Sequence, residues 1–168
     1  MSHKFIGHQT HERTVKTFLN QIKFLLQDQQ TCIGETNLSL LWQIFVESPN
    51  FTREQDMFLQ WINRSKADYA GTNKPYYEIL TPQEKKFLFL QILCKSAVKP
   101  NASLGLTKCF NTYFVQINKA LGNIKNTTKR LRILNLQNLQ GYDALWEICV
   151  SSTNAKVREI CQELLVDV

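Results

Sequence analysis

Cysteine and histidine are the side chains of this 168-residue chain that could support covalent catalysis. A thiol hydrolase needs a cysteine activated by a histidine, and that histidine is oriented in turn by an Asn or Asp side chain. The three histidines, His3, His8 and His11, all lie in the first eleven residues. The sequence therefore predicts no catalytic residue, and an isolated thiol hydrolase with an unrecognised site is an alternative.

The five cysteines favour a structural role. They are odd in number, include no Cys-x-x-Cys pair and mostly fall on apolar helical faces, which is typical of reduced, buried thiols. The N-terminus is polar and no long apolar run occurs, so neither a secretory signal nor a membrane span is predicted. The expected location is cytoplasmic, with the nucleus as a second compartment. The cysteines are Cys32, Cys94, Cys109, Cys149 and Cys161.

A metal site is conceivable near the N-terminus. His8, His11 and Glu12 could share one helical face, but two histidines and one carboxylate without a further ligand make a weak site. A frayed polar terminus is the favoured interpretation. The sequence also lacks a Gly-rich phosphate loop and a paired-carboxylate constellation, so it predicts no metal and no cofactor.

Positive charge is concentrated in one part of the chain. Between Lys85 and Tyr142 there are ten Lys or Arg residues and no Asp or Glu, whereas the net charge of the whole chain is only +6. Such a field attracts an acidic partner or nucleic acid, although it can also be a solvated face of a larger assembly. Nucleic acid is disfavoured because no recognition motif is present and the aromatic residues fall on an apolar stripe. The candidate partner-binding residues are Lys119, Lys125, Lys129, Arg130 and Arg132.

Helices are predicted to position these side chains. Apolar residues at i, i+3, i+4 and i+7 predict a first helix from about His11 to Asp28, whose apolar stripe is Val15, Phe18, Leu19, Ile22, Leu25 and Leu26. A second, over Leu38–Phe45, is ended by Ser48-Pro49 because proline disfavours helical geometry in the preceding residue. A third begins at Thr52, where Gln55 could complete a capping box. Its expected core residues are Phe58, Trp61 and Ile62.

The second half of the chain begins with a clear helix start. Thr81-Pro82-Gln83-Glu84 combines a capping hydroxyl, a first-turn proline and a glutamate, and predicts a helix to about Ala97. Another helix opens at Ser103 or Leu104 and stops at Gly122. Residues 66–79 and 123–137 are predicted as loops, the latter leading to a helix around Trp146. The predicted buried stripes are Phe87, Leu90 and Leu93; then Leu106, Cys109, Phe110, Tyr113, Phe114, Ile117 and Leu121; then Val157, Ile160, Cys161, Leu164, Leu165 and Val168.

One string of residues occurs twice. Leu41–Asn50 and Leu145–Asn154 share Leu, Trp, Ile, Val, Ser and Asn at matching places. Internal similarity of helix-turn-helix units is typical of stacked helical repeats, which present surfaces to partners. Trp42 and Trp146 are then expected to be core residues between helices. The last apolar stripe is still running at the end of the chain, which favours a fragment of a longer protein.

Several of these residues carry a family resemblance. Leu41-Trp42, the pair Phe58 and Trp61, Cys109-Phe110 with Phe114 and Asn118, and Leu139-x-Gly141-x-Asp143-x-Leu145-Trp146 resemble the N-terminal helical region of the giant ubiquitin-specific proteases of the fat-facets type. The resemblance implies an armadillo/HEAT-like solenoid placed before a papain-like thiol protease domain that cleaves ubiquitin from substrates. The family's nucleophile lies in an Asn/Gly-rich cysteine box, which no cysteine here matches.

The sequence therefore predicts an all-α fold, an armadillo/HEAT-like α-solenoid of about six to seven helices forming a single segment over residues 1–168. The predicted function is a non-catalytic scaffold of a deubiquitinating thiol protease that binds ubiquitinated substrates or adaptors. The alternative is a free-standing basic helical module that binds nucleic acid or an acidic partner.

Overall fold

The computed structural model describes residues 3–47, 52–63, 78–126 and 131–167. Within these ranges the chain forms seven helices and one two-stranded antiparallel sheet. Helices dominate, which confirms the predicted all-α class. The chain divides into two compact units, Met1–Thr81 and Pro82–Val168, which are described separately.

The described part of the first unit contains three helices. Helix α1 spans His3–Asp28, so it begins before the predicted start and ends at the predicted residue. Helix α2 spans Glu35–Trp42 and continues as a π-helical turn over Gln43–Glu47. Helix α3 spans Thr52–Ile62 and packs against both α1 and the π-helical end of α2. The predicted stop at residues 48–49 and most of the predicted loop over 66–79 lie outside the described residues.

Phe58 forms the centre of an aromatic core in the first unit. Its ring stacks on Phe45 at a centroid distance of 5.2 Å and on Trp61 at 6.0 Å. Trp42 meets it edge-on at 6.2 Å. These distances and angles are those that aromatic pairs favour. The predicted burial of Trp42, Phe58, Trp61 and Ile62 is confirmed.

Two details of the first unit differ from the prediction. Helix α1 buries Val15 and Leu19 but leaves Phe18 and Leu25 exposed, because α3 packs along only one line of its surface. The Gln55 side-chain amide donates to the carbonyl oxygen of Val46 at 3.2 Å. It therefore joins α3 to the end of α2, which differs from the predicted capping box within α3 itself.

Four helices and a hairpin build the second unit. Helix α4 starts at Pro82, as predicted, and consists of Pro82–Phe87, a π-helical stretch over Leu88–Leu93, and Cys94–Ser96. Helix α5 spans Leu104–Ala120, which agrees with the predicted start at Ser103 or Leu104. Its N-cap is Ser103, whose Oγ accepts from the backbone N–H of Leu106 at 3.1 Å. The remaining elements are strand β1 (Ile124–Asn126), strand β2 (Leu131–Ile133), helix α6 (Tyr142–Ser151) and helix α7 (Ala155–Asp167).

The core of the second unit is built around Phe89. Its ring centroid lies 5.4 Å from that of Phe110 and 6.3 Å from that of Phe114. The predicted α5 stripe is buried from Leu106 to Ile117, whereas Leu121 caps the helix and is exposed. Gly122 follows with φ +74°, which confirms the predicted glycine stop.

The buried face of α4 agrees with the predicted stripe at Leu93 but not at Phe87 and Leu90. Leu88, Phe89 and Leu93 are buried, while Phe87 and Leu90 are only half-buried. The cause is the π-helical stretch, in which hydrogen bonds run from i to i+5 and the side chains no longer follow the period of about 3.6 residues. Apolar residues that would share one face of an α-helix therefore do not all lie on the buried face of α4.

The prediction of a loop over 123–137 is wrong for the two strands. β1 and β2 pair antiparallel, with Ile124 opposite Ile133, Lys125 opposite Arg132 and Asn126 opposite Leu131. Ile124 is buried and β1 packs on α5. Strands of three residues give no sequence periodicity, and this hairpin is positioned by contacts with the helix before it.

Candidate functional site

The structure brings together two of the five predicted partner-binding residues. Lys125 and Arg132 are exposed and lie directly opposite each other on the hairpin. Lys119 is half-buried in the last turn of α5, where a positive charge suits the helix dipole. Lys129 and Arg130 lie outside the described residues.

The pairing of Lys125 with Arg132 places two like charges on one face of the hairpin. Like charges directly opposite in an antiparallel pair are destabilising. Neither side chain joins an ion pair with another described residue. The hairpin therefore presents two exposed positive charges directly opposite each other.

A buried asparagine anchors this hairpin to α5. The Oδ1 atom of Asn118 accepts from the backbone N–H of Gln140 at 2.8 Å and from the Asn123 side-chain amide at 3.2 Å. Its Nδ2 group donates to the carbonyl oxygens of Phe114 and Gln140, both at 2.9 Å. Every donor and acceptor position of the Asn118 amide is thereby used.

Asn123 extends the network into the hairpin. Its side-chain amide also donates to the carbonyl oxygen of Asn138 at 2.7 Å, and its own carbonyl accepts from the N–H of Leu134 at 2.8 Å. The two asparagines thus join the end of α5, both sides of the hairpin and the approach to α6. Sequence reasoning singled out Asn118 only through the family resemblance and did not predict this network.

The string Leu139-x-Gly141-x-Asp143-x-Leu145-Trp146 lies at the start of α6. Leu139 and Leu145 are buried. Gly141 has φ +76°, and a Cβ atom there would lie 2.4 Å from Cζ of Phe89, so only glycine fits. Asp143 is exposed in the first turn of α6, where a negative charge is favourable. Four of the five residues therefore have structural roles.

Trp146 is the exception, and its predicted burial in the core is wrong. Its side chain is 57% exposed, whereas α6 buries Leu145 and Ile148 on the opposite face. Trp42, at the matching place of the other copy, is 2% exposed. The two copies also differ at Ile44, which is exposed, and the matching Ile148, which is buried. The same string therefore buries different faces of its helix in the two units, because the neighbouring helices pack on different sides.

The cysteines have the environment of structural thiols. None of the five, all of which lie in the described ranges, forms a disulfide bond, and Cys109 and Cys161 are buried. Burial raises the pKa of Cys109 to about 12, and that of Cys94 and of Cys161 to about 11. A nucleophilic cysteine requires a lowered pKa. These three thiols are therefore protonated and unreactive at neutral pH.

His11 and Glu12, which the sequence made conceivable but not predicted metal ligands, face α3. The Nε2 atom of His11 lies 3.1 Å from Oε1 of Glu54, and Glu12 pairs with Arg53. The side chain of His8 lies outside the described residues. In the described part of the chain, no group of three or more His, Cys, Asp or Glu side chains could hold a metal ion. His11 and Glu12 thus join α1 to α3.

None of the described helices is both long and apolar enough to cross a membrane.

Comparison with known proteins gives one similarity that agrees with the resemblance. No protein-family model matches the chain. The chain is similar to mouse ubiquitin carboxyl-terminal hydrolase 9Y, with 22% identity over 149 residues that cover 86% of this chain and 5% of the hydrolase. It thus spans about one-twentieth of the length of the curated relative that it matches. The finding supports a relationship between this chain and a region of a ubiquitin-specific protease.

Proposed function

We propose that this chain is a non-catalytic helical scaffold region of a deubiquitinating thiol protease of the fat-facets type, and that it binds protein substrates or adaptors. The observation that carries the proposal is the exposure of Trp146 within the string most specific to that family. Large exposed aromatic side chains are enriched where proteins bind one another. A tryptophan that α6 does not need for packing is suited to such a contact.

The proposed architecture is an armadillo/HEAT-like segment over residues 1–168. In the second unit, α7 packs on both α6 and α5, and the backbone N–H of Thr153 donates to the carbonyl oxygen of Pro100 at 3.0 Å. This bond joins the α6–α7 turn to the α4–α5 connection. Helix pairs that stack through their turns and their faces support a repeat architecture.

The proposal assigns protease activity to another part of a longer protein. The raised pKa values of the Cys94, Cys109 and Cys161 thiols support this assignment. The parent protein would remove ubiquitin from substrates that this region helps to select. Its expected location remains cytoplasmic, with the nucleus as a second compartment.

A second candidate function concerns the basic hairpin. The direct opposition of Lys125 and Arg132 favours binding of an acidic protein segment, because such a partner would relieve the repulsion between two like charges. Lys119, Lys129 and Arg130 are proposed to contribute to the same field. Nucleic acid is a less suitable partner, since the buried Phe110, Tyr113 and Phe114 cannot stack on bases.

Deleting residues 1–168 from the parent protease tests the scaffold function. Cleavage of a small fluorogenic ubiquitin derivative should be unchanged, because the catalytic domain alone contacts it. Cleavage of ubiquitinated protein substrates should fall. The single change Trp146→Ala should reproduce part of that loss, with Leu40→Ala, another exposed apolar residue, as its matched control. Equal loss on both kinds of substrate would contradict the proposal, and so would labelling of this chain by a ubiquitin-based suicide probe.

A further inference from the structure

The solvent face of α6 combines acidic and apolar side chains. Asp143, Trp146, Glu147 and Val150 follow the i, i+3, i+4, i+7 spacing of one helical face, and all four are exposed. Trp146 is 57% exposed and Val150 is 65% exposed. We name these four residues the acidic face of α6.

The packing of the second unit does not account for this face. The side of α6 that contacts the core carries Leu145 and Ile148, which are buried. Neither Asp143 nor Glu147 forms an ion pair within the described residues. Two large apolar side chains flanked by two unpaired carboxylates are therefore left facing solvent.

A complementary surface lies on the hairpin of the same unit. Lys125 and Arg132 are exposed and opposite each other, and Leu134 is 55% exposed. Leu134 follows β2 directly, and its N–H donates to the carbonyl oxygen of Asn123. Leu134 is two residues from Arg132 and one residue beyond the end of β2, so an exposed apolar side chain adjoins the opposed charges in the chain. We name Lys125, Arg132 and Leu134 the basic face of the hairpin.

We infer that the acidic face of α6 docks on the basic face of the hairpin of a second copy of this chain. Trp146 and Val150 pack against Leu134, while Asp143 and Glu147 pair with Lys125 and Arg132. The apolar contact removes exposed surface from water, and the ion pairs fix the orientation of the two chains. Because two different surfaces meet, the contact is heterologous: in a pair, one chain keeps a free basic face and the other keeps a free acidic face, and each can take a further copy.

Charge along the chain supports a second copy as the occupant. The stretch from Lys85 to Tyr142, which contains the hairpin, has only basic charges, and residues 143–168, which contain α6 and α7, have more acidic than basic residues. Two copies that met hairpin to hairpin would bring like charges together and repel each other. A head-to-tail arrangement brings opposite charges together and is therefore the favoured one.

Sedimentation velocity of the 168-residue chain over a range of concentrations tests this contact. The weight-average sedimentation coefficient should rise with concentration at low salt, and the rise should shrink at high salt because exposed ion pairs are screened. Association should also lower the quenching of tryptophan emission by iodide, since Trp42 and Trp61 are already buried and Trp146 supplies the accessible signal. A chain that stays monomeric at every concentration would overturn the inference.

Charge reversal identifies the surfaces. One double variant combines Asp143→Lys with Glu147→Lys, and the other combines Lys125→Glu with Arg132→Glu. Each variant alone should stay monomeric, and an equimolar mixture of the two should associate again. The control Lys86→Glu with Lys108→Glu makes the same change in net charge as the variant at Lys125 and Arg132, but at exposed sites elsewhere in the second unit, and it should still associate. Association of either double variant alone, no recovery on mixing, or loss of association in the control would each contradict the proposed contact.

Discussion

Trp42 and Trp146 occupy matching places in two copies of one string, yet Trp42 lies edge-on against Phe58 in a core while Trp146 faces solvent. The same residue type therefore has different roles in the two units. The difference can be measured.

Trp42→Ala should destabilise the first unit by about 3 to 5 kcal/mol, the usual cost of removing a large aromatic side chain from a packed core. Trp146→Ala should change the stability of the second unit by less than about 0.5 kcal/mol, as is normal for exposed sites. Urea unfolding followed by circular dichroism measures both. Similar losses in the two variants would mean that Trp146 is packed.

Asn118→Ala should destabilise the second unit, because the backbone N–H of Gln140 and the amide of Asn123 would lose their acceptor. Each buried polar group left without a partner costs about 1 to 3 kcal/mol. Asn135→Ala, which removes one exposed hydrogen bond of 3.3 Å to Asn138, is the matched control and should have little effect. If the two variants unfold at the same urea concentration, the asparagine network is not what holds the hairpin.

Gly141→Ala should be more costly than Gly122→Ala. Both glycines have positive φ, so each alanine pays about 1 to 2 kcal/mol for left-handed backbone. Only at Gly141 would the new methyl group also collide with Phe89, whereas nothing lies within 4 Å of a Cβ at Gly122. The overpacking should add about 1 to 3 kcal/mol. Thermal melts of the two variants give the comparison, and equal shifts would contradict a close approach of Gly141 to Phe89.

Cys109 should make stability fall at alkaline pH. Its pKa is raised from 9.0 to about 12 by burial, which disfavours the thiolate in the folded state. Below pH 9 both states keep the proton and this residue adds no pH dependence. Between pH 9 and about 12 the unfolded thiol loses its proton first, so the folded state binds more protons and stability declines as pH rises.

Urea midpoints measured from pH 8 to about 10 test this effect. The midpoint of the wild-type chain should decline more steeply than that of Cys109→Ala. Parallel curves would show that the Cys109 thiol is not protected by burial. In the folded chain Cys109 should also resist alkylation at pH 8.

Local signals in the sequence were sufficient for some elements. The start of α5 at Ser103 or Leu104, the stripe from Leu106 to Ile117 and the stop at Gly122 all depend on residues within or next to α5, and the sequence predicts each of them. The start of α4 at Pro82 follows from the same kind of local chemistry.

The remaining elements depend on contacts between distant residues. The hairpin is held by Asn118 and Asn123. Its three-residue strands are too short to give a periodic pattern in the sequence. The orientation of α6 depends on which neighbours pack on it, so a repeated string could not show that Trp146 is exposed. Of the five predicted partner-binding residues, spacing alone did not show that Lys125 and Arg132 would lie opposite each other.

The π-helical stretch over Leu88–Leu93 has a consequence for comparing this chain with distant relatives. A π-helical turn contains one more residue than an α-helical turn. In a relative that has one residue fewer here, the same stretch could form an ordinary α-helix. The residue equivalent to Phe89 would then still lie on the same face of the helix as the core residues before it. Alignments across α4 should therefore allow a one-residue gap at this place, without which true equivalents after Leu93 would be displaced by one position.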